Sequence, residues 1–158
     1  MYNNLMVSLI LYNLRSAHNV GAIFRTADAI GVAKIYLIGY TPAPKDQFGR
    51  VNKEIAKTAL GAEKTIAWES VEDILKLIKK LKDKSCQIVA LEQAAGSVDY
   101  KKVKLEKEAA IILGQEVEGI GLEILKECDL VAEIPMRGGK ESLNVSVSAG
   151  VALFRWLD

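Results

Sequence analysis

The sequence predicts one α/β domain in which a parallel β-sheet is covered by helices on both faces. Apolar runs of about five to seven residues alternate with segments whose apolar residues recur at helical spacing. Half of the 158 residues are hydrophobic and 26% are charged, which is typical of a globular protein. No repeat, low-complexity segment or linker divides the chain, so we expect residues 1–158 to form a single domain.

Apolar runs of strand length predict the sheet. The first run, residues 6–12, has no charged residue and is typical of a strand that is buried on both faces. Further strands are predicted at residues 34–39, 65–68, 87–91, 109–113 and 130–134. Ligands of parallel sheets lie beyond the carboxyl ends of the strands, so three polar or glycine-bearing loops are candidate sites. These loops are residues 92–96, 114–121 and 136–142.

Helical spacing and capping residues predict the helices. Residues 20–30 carry an apolar stripe, with Asn19 as the expected N-cap and Gly31 as the stop. Ser70 is expected to open a longer helix, whose acidic first turn and lysine-rich end suit the helix dipole. Short helices are predicted at residues 52–60 and 121–127, and a long loop at residues 41–51.

The last predicted helix, residues 145–157, is unusually apolar, because its only polar members are Ser146, Ser148 and Arg155. A helix that is apolar on nearly every side must be buried on more than one face. In a chain of this length we infer that another subunit supplies the second surface. Ser142 and Asn144 precede this helix, and both residue types cap helices. They either cap the helix or bind a ligand at its start.

Composition narrows the classes of function. A net charge of +1 does not indicate nucleic-acid binding, so any RNA contact must come from local patches. Cys86 and Cys128 lie in apolar patterns without a C-x-x-C motif, which predicts buried free thiols in a reducing cytoplasm. With a single histidine and no His/Cys cluster, no metal site is expected. The apolar runs are too short to span a bilayer, and no signal-peptide pattern opens the sequence.

Common nucleotide and hydrolase motifs are absent from the predicted loops. No G-x-G-x-x-G follows the first strand, and neither a P-loop nor a G-x-S-x-G elbow occurs. The glycine-rich segment at residues 114–121 is, on its spacing alone, a weak indication of a ligand site. The residues by themselves therefore predict an α/β domain with a pocket and no specific chemistry.

Three segments carry a more specific pattern. In residues 19–31, Asn19 precedes Arg25 by six positions on a predicted helix. In residues 111–119, a strand runs into Gly-Gln-Glu-x-x-Gly, with Gln115 where Asn is commoner. The third segment contains Ile134-Pro-Met and Ser142-Leu-Asn. In this order and spacing, over nearly the whole chain, the three resemble the motifs of the SpoU/TrmH family of SPOUT RNA methyltransferases.

The resemblance implies a fold and an activity. The fold would be a single-domain α/β knot with a deep C-terminal trefoil knot, although knots are otherwise nearly absent from proteins. The activity would be S-adenosylmethionine-dependent 2′-O-methylation of an RNA ribose, by a homodimer formed through the first and last helices. Without an appended RNA-binding domain, tRNA is slightly favoured over rRNA as substrate. The alternatives are methylation of an RNA base, or an RNA-binding or assembly module without catalysis.

The resemblance also assigns candidate site residues. The catalytic set would be Asn19, Arg25, Glu116, Ser142 and Asn144. Arg25 would come from the partner subunit; because a guanidinium stays protonated, we expect it to clamp and orient a phosphate rather than to act as a base. Glu116 would orient Arg25 or Asn144, and the acceptor of the ribose proton is left open.

Cofactor contacts are expected mostly from backbone groups at three strand ends. These residues are Leu91, Glu92, Gly114, Ile134, Met136, Leu143 and Asn144. Basic residues in or beside the loops at the same edge are the candidates for RNA phosphate contacts. They are Arg15, Lys45, Arg50, Lys53, Arg137 and Lys140.

Overall fold

The computed structural model describes residues 4–158, which contain a seven-stranded, wholly parallel sheet. The strands lie in the order β3-β2-β1-β6-β4-β7-β5, and the predicted parallel α/β sheet is therefore confirmed. The strands are β1 (Met6–Tyr12), β2 (Lys34–Ile38), β3 (Ala67–Val71), β4 (Gln87–Leu91), β5 (Val98–Asp99), β6 (Glu108–Gly114) and β7 (Leu130–Glu133).

Helices cover both faces of this sheet. The first, second and last helices pack on one face together with Leu9 and Leu11, whereas the fourth and fifth pack on the other face together with Ile10. Alternate residues of one strand thus point to opposite cores, and both cores are apolar, which explains the uninterrupted apolar runs. The helices are α1 (Ala17–Ile30), α2 (Lys53–Ala59), α3 (Ala62–Thr65), α4 (Ile74–Asp83), α5 (Leu122–Leu125) and α6 (Val145–Leu157).

Strand β6 occupies the centre of the sheet, between β1 and β4. After β4 the chain runs to β5 at the edge, returns to the centre as β6, and then enters between β4 and β5 as β7. All pairs are parallel, so the carboxyl ends of β1, β6, β4 and β7 meet at one edge. This edge is where a ligand site is expected.

The predicted start of two helices is wrong. Asn19 does not cap α1, because Ser16 does: the Ser16 hydroxyl accepts the Asn19 backbone N–H at 3.1 Å, and the helix begins at Ala17. Ser70 lies in β3 and opens no helix. Asp73 caps α4 instead, by accepting the backbone N–H groups of residues 75 and 76 at 3.0 and 3.2 Å.

Short elements account for the other differences. The strand predicted at residues 65–68 begins at Ala67, because residues 62–65 form the single helical turn α3. The helix predicted at residues 121–127 is limited to Leu122–Leu125. Strand β5 and the 3₁₀ turn at Tyr100–Lys102 were not predicted, since elements of two or three residues have no measurable periodicity.

The two cysteines are free but only partly buried, so the prediction of buried thiols was partly wrong. Burial raises the pKa of both Cys86 and Cys128 to about 11, which keeps both thiols protonated near neutral pH. Within residues 4–158, no helix is both long and apolar enough to cross a membrane.

Gly21 allows α1 and α2 to pack closely. A Cβ atom at this position would overlap the Thr58 hydroxyl oxygen and the carbonyl oxygen of Ile55. The Thr58 hydroxyl in turn donates to the carbonyl of His18 at 2.9 Å, so neither neighbour is free to move away. The contact fixes α1, which carries Asn19, against α2.

We expect Gly21→Ala to lower the free energy of unfolding by about 1–3 kcal/mol, because the added methyl group overpacks this contact. Gly150→Ala is the matched control. It also replaces a helical glycine, but its Cβ would lie 3.8 Å from the nearest side-chain atom, of Thr26. This control should be neutral or should stabilise by up to about 1 kcal/mol. Urea denaturation followed by circular dichroism measures both, and equal stabilities would contradict the close-packing argument.

Candidate active site

A cavity of about 590 Å³ opens at the carboxyl ends of β4, β6 and β7. The segment that leads into α6 closes one side of it. The volume lies within the range of small-molecule sites. Six of the seven predicted cofactor residues line it, whereas Asn144 stands next to it in the chain but is not part of the wall. The six are Leu91, Glu92, Gly114, Ile134, Met136 and Leu143.

Asn144 caps α6, as predicted, and the cap fixes the orientation of its amide. The side-chain Oδ1 accepts the Ser146 backbone N–H at 2.9 Å and the Ser146 hydroxyl at 2.6 Å. A backbone N–H only donates, so the atom facing it must be the oxygen. The Nδ2 group of Asn144 therefore points the other way, and it donates to Asn19 Oδ1 at 3.2 Å.

The orientation of Asn19 follows from that of Asn144. Because Asn19 Oδ1 accepts from Asn144, its Nδ2 group donates, and the acceptor is Glu116 Oε1 at 3.1 Å. This amide relay (Asn144, Asn19 and Glu116) joins residues that are 125 and 97 positions apart in the sequence. Three of the five predicted catalytic residues are thus brought together at the mouth of the cavity.

Ser142 and Arg25 lie outside the relay. Ser142 is exposed and lines the cavity, and it does not cap α6. Arg25 is exposed on α1 and lies in a separate groove of about 560 Å³, together with Leu60 and Phe154. Six residues along an α-helix correspond to about 9 Å and roughly 120° of rotation, so Arg25 cannot face the relay that contains Asn19.

The side chain of Glu92 holds the loop that carries Glu116. The carboxylate of Glu92 accepts the backbone N–H of Ile120 at 2.9 Å through one oxygen and that of Gln93 at 2.8 Å through the other. Glu92 was expected to offer a backbone contact to a ligand. Its own backbone N–H is instead bonded to the carbonyl of Ala132 at 2.9 Å, and its side chain has a structural role that the sequence did not reveal.

Two glycines permit the tight path of this loop. Gly119 has a φ of 64°, and a Cβ there would overlap the Glu92 carboxylate. At Gly114 a Cβ would stand 2.6 Å from Ile120 Cγ1 and 2.8 Å from the carbonyl carbon of Gly119. The turn is closed by the Gly119 N–H, which donates to the Gln115 carbonyl at 3.0 Å. The two glycines of the Gly-Gln-Glu-x-x-Gly segment are therefore required because a larger residue at either position would clash within the turn that carries Glu116.

The basic candidates differ in their surroundings. The pKa of Arg15 is raised, first by its interaction with the Tyr40 hydroxyl and then by the carboxylates of Glu118 and Glu116. Arg50 forms an ion pair with Asp46 at 2.6 Å. The remaining candidates are exposed: Lys45, Lys53, Arg137 and Lys140.

Sequence reasoning missed part of the cavity wall. Ile120, Leu122 and Leu125 form an apolar side, and Glu133 and Glu141 contribute carboxylates. Leu122 is 74% exposed and, from the sequence alone, is indistinguishable from an ordinary surface leucine. In the part of the chain that is described, no group of three or more His, Cys, Asp or Glu residues could hold a metal ion.

Comparison with known proteins gives a family match over almost the whole chain. The model of the SpoU rRNA Methylase family matches residues 6–154. The 23S rRNA (guanosine-2'-O-)-methyltransferase RlmB of Neisseria meningitidis is 36% identical over 145 residues, which are 92% of this chain and 55% of that protein. A putative TrmH family tRNA/rRNA methyltransferase of Staphylococcus aureus is 33% identical over 150 residues, 95% of this chain and 58% of that protein. The chain spans about half the length of the curated relatives it matches.

Solved structures of similar proteins share the fold. The AdoMet-bound rRNA methyltransferase from Sinorhizobium meliloti superposes with a TM-score of 0.85 at 30% identity, covering 95% of this chain and 55% of that one. The TrmH/SpoU tRNA modifying enzyme of A. aeolicus gives 0.80 at 30% identity, covering 97% and 73%. These neighbours are knotted SPOUT methyltransferases, and the predicted α/β-knot fold class is confirmed.

We expect Glu92→Ala to lower the free energy of unfolding by about 1–3 kcal/mol, because the Ile120 N–H loses its acceptor in a part-buried position. Glu92→Gln is the control, since its amide oxygen can still accept from Ile120, and its loss should be smaller. Urea denaturation gives the stabilities, and hydrogen exchange reports protection of the Ile120 amide. Unchanged stability and protection in Glu92→Ala would show that the carboxylate does not hold the loop.

Proposed function

We propose that this chain, which belongs to the SpoU rRNA Methylase family, methylates the 2′-oxygen of an RNA ribose with S-adenosylmethionine as donor. The observation that carries the proposal is the amide relay of Asn144, Asn19 and Glu116 at the mouth of a cofactor-sized cavity. Similar proteins are named as 23S rRNA guanosine-2'-O-methyltransferases, and a similar structure was solved with AdoMet bound, which supports both the reaction and the donor.

The cavity has the chemistry that S-adenosylmethionine requires. Its apolar side, formed by Ile120, Leu122 and Leu125, suits an adenine ring, and the carboxylates of Glu133 and Glu141 suit the positive charges of the amino and sulfonium groups. When bound, the cofactor supplies an electrophilic methyl group on a positively charged sulfur. We assign the six cavity-lining residues predicted from the sequence to cofactor binding, and Asn144 to its entrance.

The relay would position the ribose. In-line transfer needs a short, linear approach of the 2′-oxygen, and rigid amides whose donors and acceptors are fixed by neighbours suit this task. A hydroxyl is a poor nucleophile unless its proton is drawn off. Glu116 is the only ionisable member of the relay and is exposed at the cavity mouth, so we assign it as the candidate proton acceptor. Ser142, on the cavity wall, would contact the donor or the ribose.

A homodimer would complete the site. Arg25 lies too far around α1 to reach its own relay, yet it shares a groove with Leu60, which is 66% exposed, and Phe154, which is 47% exposed. On α6, Val147 and Val151 extend this exposed apolar surface at helical spacing. We propose that a second copy covers this face and that Arg25 of each subunit reaches the cavity of the other, where it clamps an RNA phosphate.

An RNA substrate is supported, whereas a preference for tRNA is not. The relatives include enzymes named for 23S rRNA and enzymes named for tRNA/rRNA, so the slight preference for tRNA expected from the sequence gains no support from them.

The reaction can be tested with methyl-labelled S-adenosylmethionine and total RNA. We expect label in ribose 2′-O-methyl groups, identified by resistance of the neighbouring phosphodiester to alkali. Asn144→Ala and Arg25→Ala should each lower the rate by about a hundredfold, because both misplace the reacting groups. Lys79→Ala, on the opposite face of the sheet, should leave the rate unchanged. Label in bases, or none, would overturn the proposal.

Mixing the two inactive variants tests whether Arg25 acts across subunits. If Arg25 acts across subunits, a dimer of one Arg25→Ala subunit and one Asn144→Ala subunit has one site with both native residues and one site with neither. Random reassociation of equal amounts should therefore restore about a quarter of the wild-type sites. Absence of any recovery, with exchange of subunits verified, would place Arg25 and Asn144 in the same subunit's site.

We expect Phe154→Glu to convert the protein to a monomer, because a charge would be buried at the centre of the proposed interface. Leu75→Glu is the matched control: Leu75 is 41% exposed on α4, on the other side of the sheet. Sedimentation velocity measures both variants. A monomeric wild type, or a dimeric Phe154→Glu, would contradict the proposed interface.

A further inference from the structure

The loop that follows β2 contains a structured hairpin, residues 45–51, here called the 45–51 hairpin. An antiparallel bridge joins Lys45 to Val51, and the Asp46 N–H donates to the Arg50 carbonyl at 3.0 Å. The Gly49 N–H closes the turn on the Asp46 carbonyl, also at 3.0 Å, with Gly49 at a φ of 76°. A loop with this many internal bonds presents its tip in one conformation.

The Asp46 carboxylate is used entirely inside the hairpin. One oxygen accepts the backbone N–H groups of Phe48 and Arg50, each at 2.9 Å, and the other accepts Arg50 Nε at 2.6 Å. The pKa of Asp46 is lowered, first by the Arg50 backbone N–H and then by the Arg50 guanidinium and the Phe48 N–H. Asp46 therefore stays ionised and fixes both the backbone and the Arg50 side chain.

This arrangement holds an aromatic ring in solvent. Phe48 is 72% exposed, and the Arg50 guanidinium lies over its ring at 5.1 Å from the centroid. Phe48 belongs to neither hydrophobic core, so its ring is available to a binding partner. An aromatic ring next to a planar guanidinium is the surface on which unstacked nucleic-acid bases stack.

The hairpin lies at the same edge of the sheet as the amide relay. The buried Thr41 hydroxyl accepts the Leu14 N–H at 3.1 Å and lies 3.0 Å from the Leu11 carbonyl, so the loop after β2 is fastened to the loop after β1. The latter leads directly into α1 and Asn19. Strand β2 is two strand spacings, or about 10 Å, from β6, which ends at the cavity. The hairpin therefore follows a strand that ends at the same edge as β6, and none of its residues lines the cavity.

We propose that Phe48 and Arg50 form a stacking platform for an unpaired base of the RNA substrate, next to the nucleotide that is methylated. The inference rests on the proposed function and extends it to substrate recognition. Lys45 and Lys53 precede and follow the platform in the sequence and supply two exposed cations, which suits a phosphate backbone passing on either side. In this proposal the planar guanidinium of Arg50 lies against the Phe48 ring and takes part in stacking. The sequence had instead led us to expect a phosphate contact from Arg50.

The test compares two labelled RNAs of equal length by fluorescence anisotropy: a hairpin with an unpaired loop and a fully paired duplex. Phe48→Ala should weaken binding of the hairpin RNA by about 5- to 100-fold and leave duplex binding nearly unchanged, because only an unpaired base can stack on the ring. Phe48→Tyr should retain hairpin binding, since stacking needs the ring. Arg50→Lys keeps the charge but not the plane, and it should weaken hairpin binding as well.

Two controls separate this proposal from others. Leu75→Ala removes an exposed apolar side chain on the opposite face and should not affect RNA binding. Calorimetry with S-adenosylmethionine should give the same affinity for Phe48→Ala and wild type, which shows an intact cavity. If wild type binds neither S-adenosylmethionine nor RNA, the proposed function fails.

Three results would overturn the stacking platform while leaving the proposed function intact. The first is unchanged hairpin binding by Phe48→Ala in a protein that still binds cofactor. The second is an equal loss for hairpin and duplex RNA, which would indicate a general change of surface. The third is a change of oligomeric state in Phe48→Ala, which would make Phe48 a contact between subunits.

Discussion

The candidate site depends on one helix cap, in which the Ser146 backbone N–H at the start of α6 must find an acceptor. It finds the Asn144 oxygen, at 2.9 Å. This choice leaves the Asn144 amide nitrogen to donate to Asn19, and Asn19 in turn to donate to Glu116. Side-chain amides are symmetric in shape, so only a partner of fixed polarity can orient them. A cap that is part of ordinary helix formation therefore sets which atoms of the relay donate and which accept, and in the proposed function the same interaction would serve both folding and substrate positioning.

The sequence was sufficient for most of the sheet and, through the motif resemblance, for the residues of the relay, and it was insufficient where short-range competition decides. Long apolar strands and the apolar last helix were predicted with nearly correct bounds, because burial on both faces leaves a strong pattern. The start of α1 was misplaced because Ser16 and Asn19 are both good caps, and only the structure shows which one accepts an N–H. The role of the Glu92 carboxylate was not predictable, since it bonds a backbone group 28 residues away. The motif resemblance named Arg25 as a residue that the partner subunit donates, and helix geometry places it on a different face of α1 from Asn19.

The fixed orientation of α6 explains why part of its apolar surface is exposed in a single chain. Its inner side packs Ala149, Leu153 and Trp156 into the core, and the Trp156 indole N–H donates to the Tyr100 carbonyl at 2.8 Å. Both ends of α6 are thus fixed, one at the relay and one at the 3₁₀ turn. With its rotation fixed, the helix must turn Val147 and Val151 outward. An apolar helix whose orientation is set by polar bonds at both ends can bury its other side only against a second molecule.

In the proposed function, the carboxyl edge of the sheet separates the cofactor cavity from the surface assigned to RNA recognition. The cavity is built from β4, β6 and β7, and the 45–51 hairpin follows β2, with β1 and the relay between them. Neighbouring strands are about 4.8 Å apart, so groups two strands away approach different parts of an extended substrate. The hairpin closes on itself through Asp46 and contributes no residue to the cavity wall. Its sequence can therefore change without altering the cavity, whereas any change in the Gly114–Ile120 turn alters the cavity and Glu116 together. If both proposals hold, substitutions in the hairpin should change the choice of RNA without changing methyl transfer.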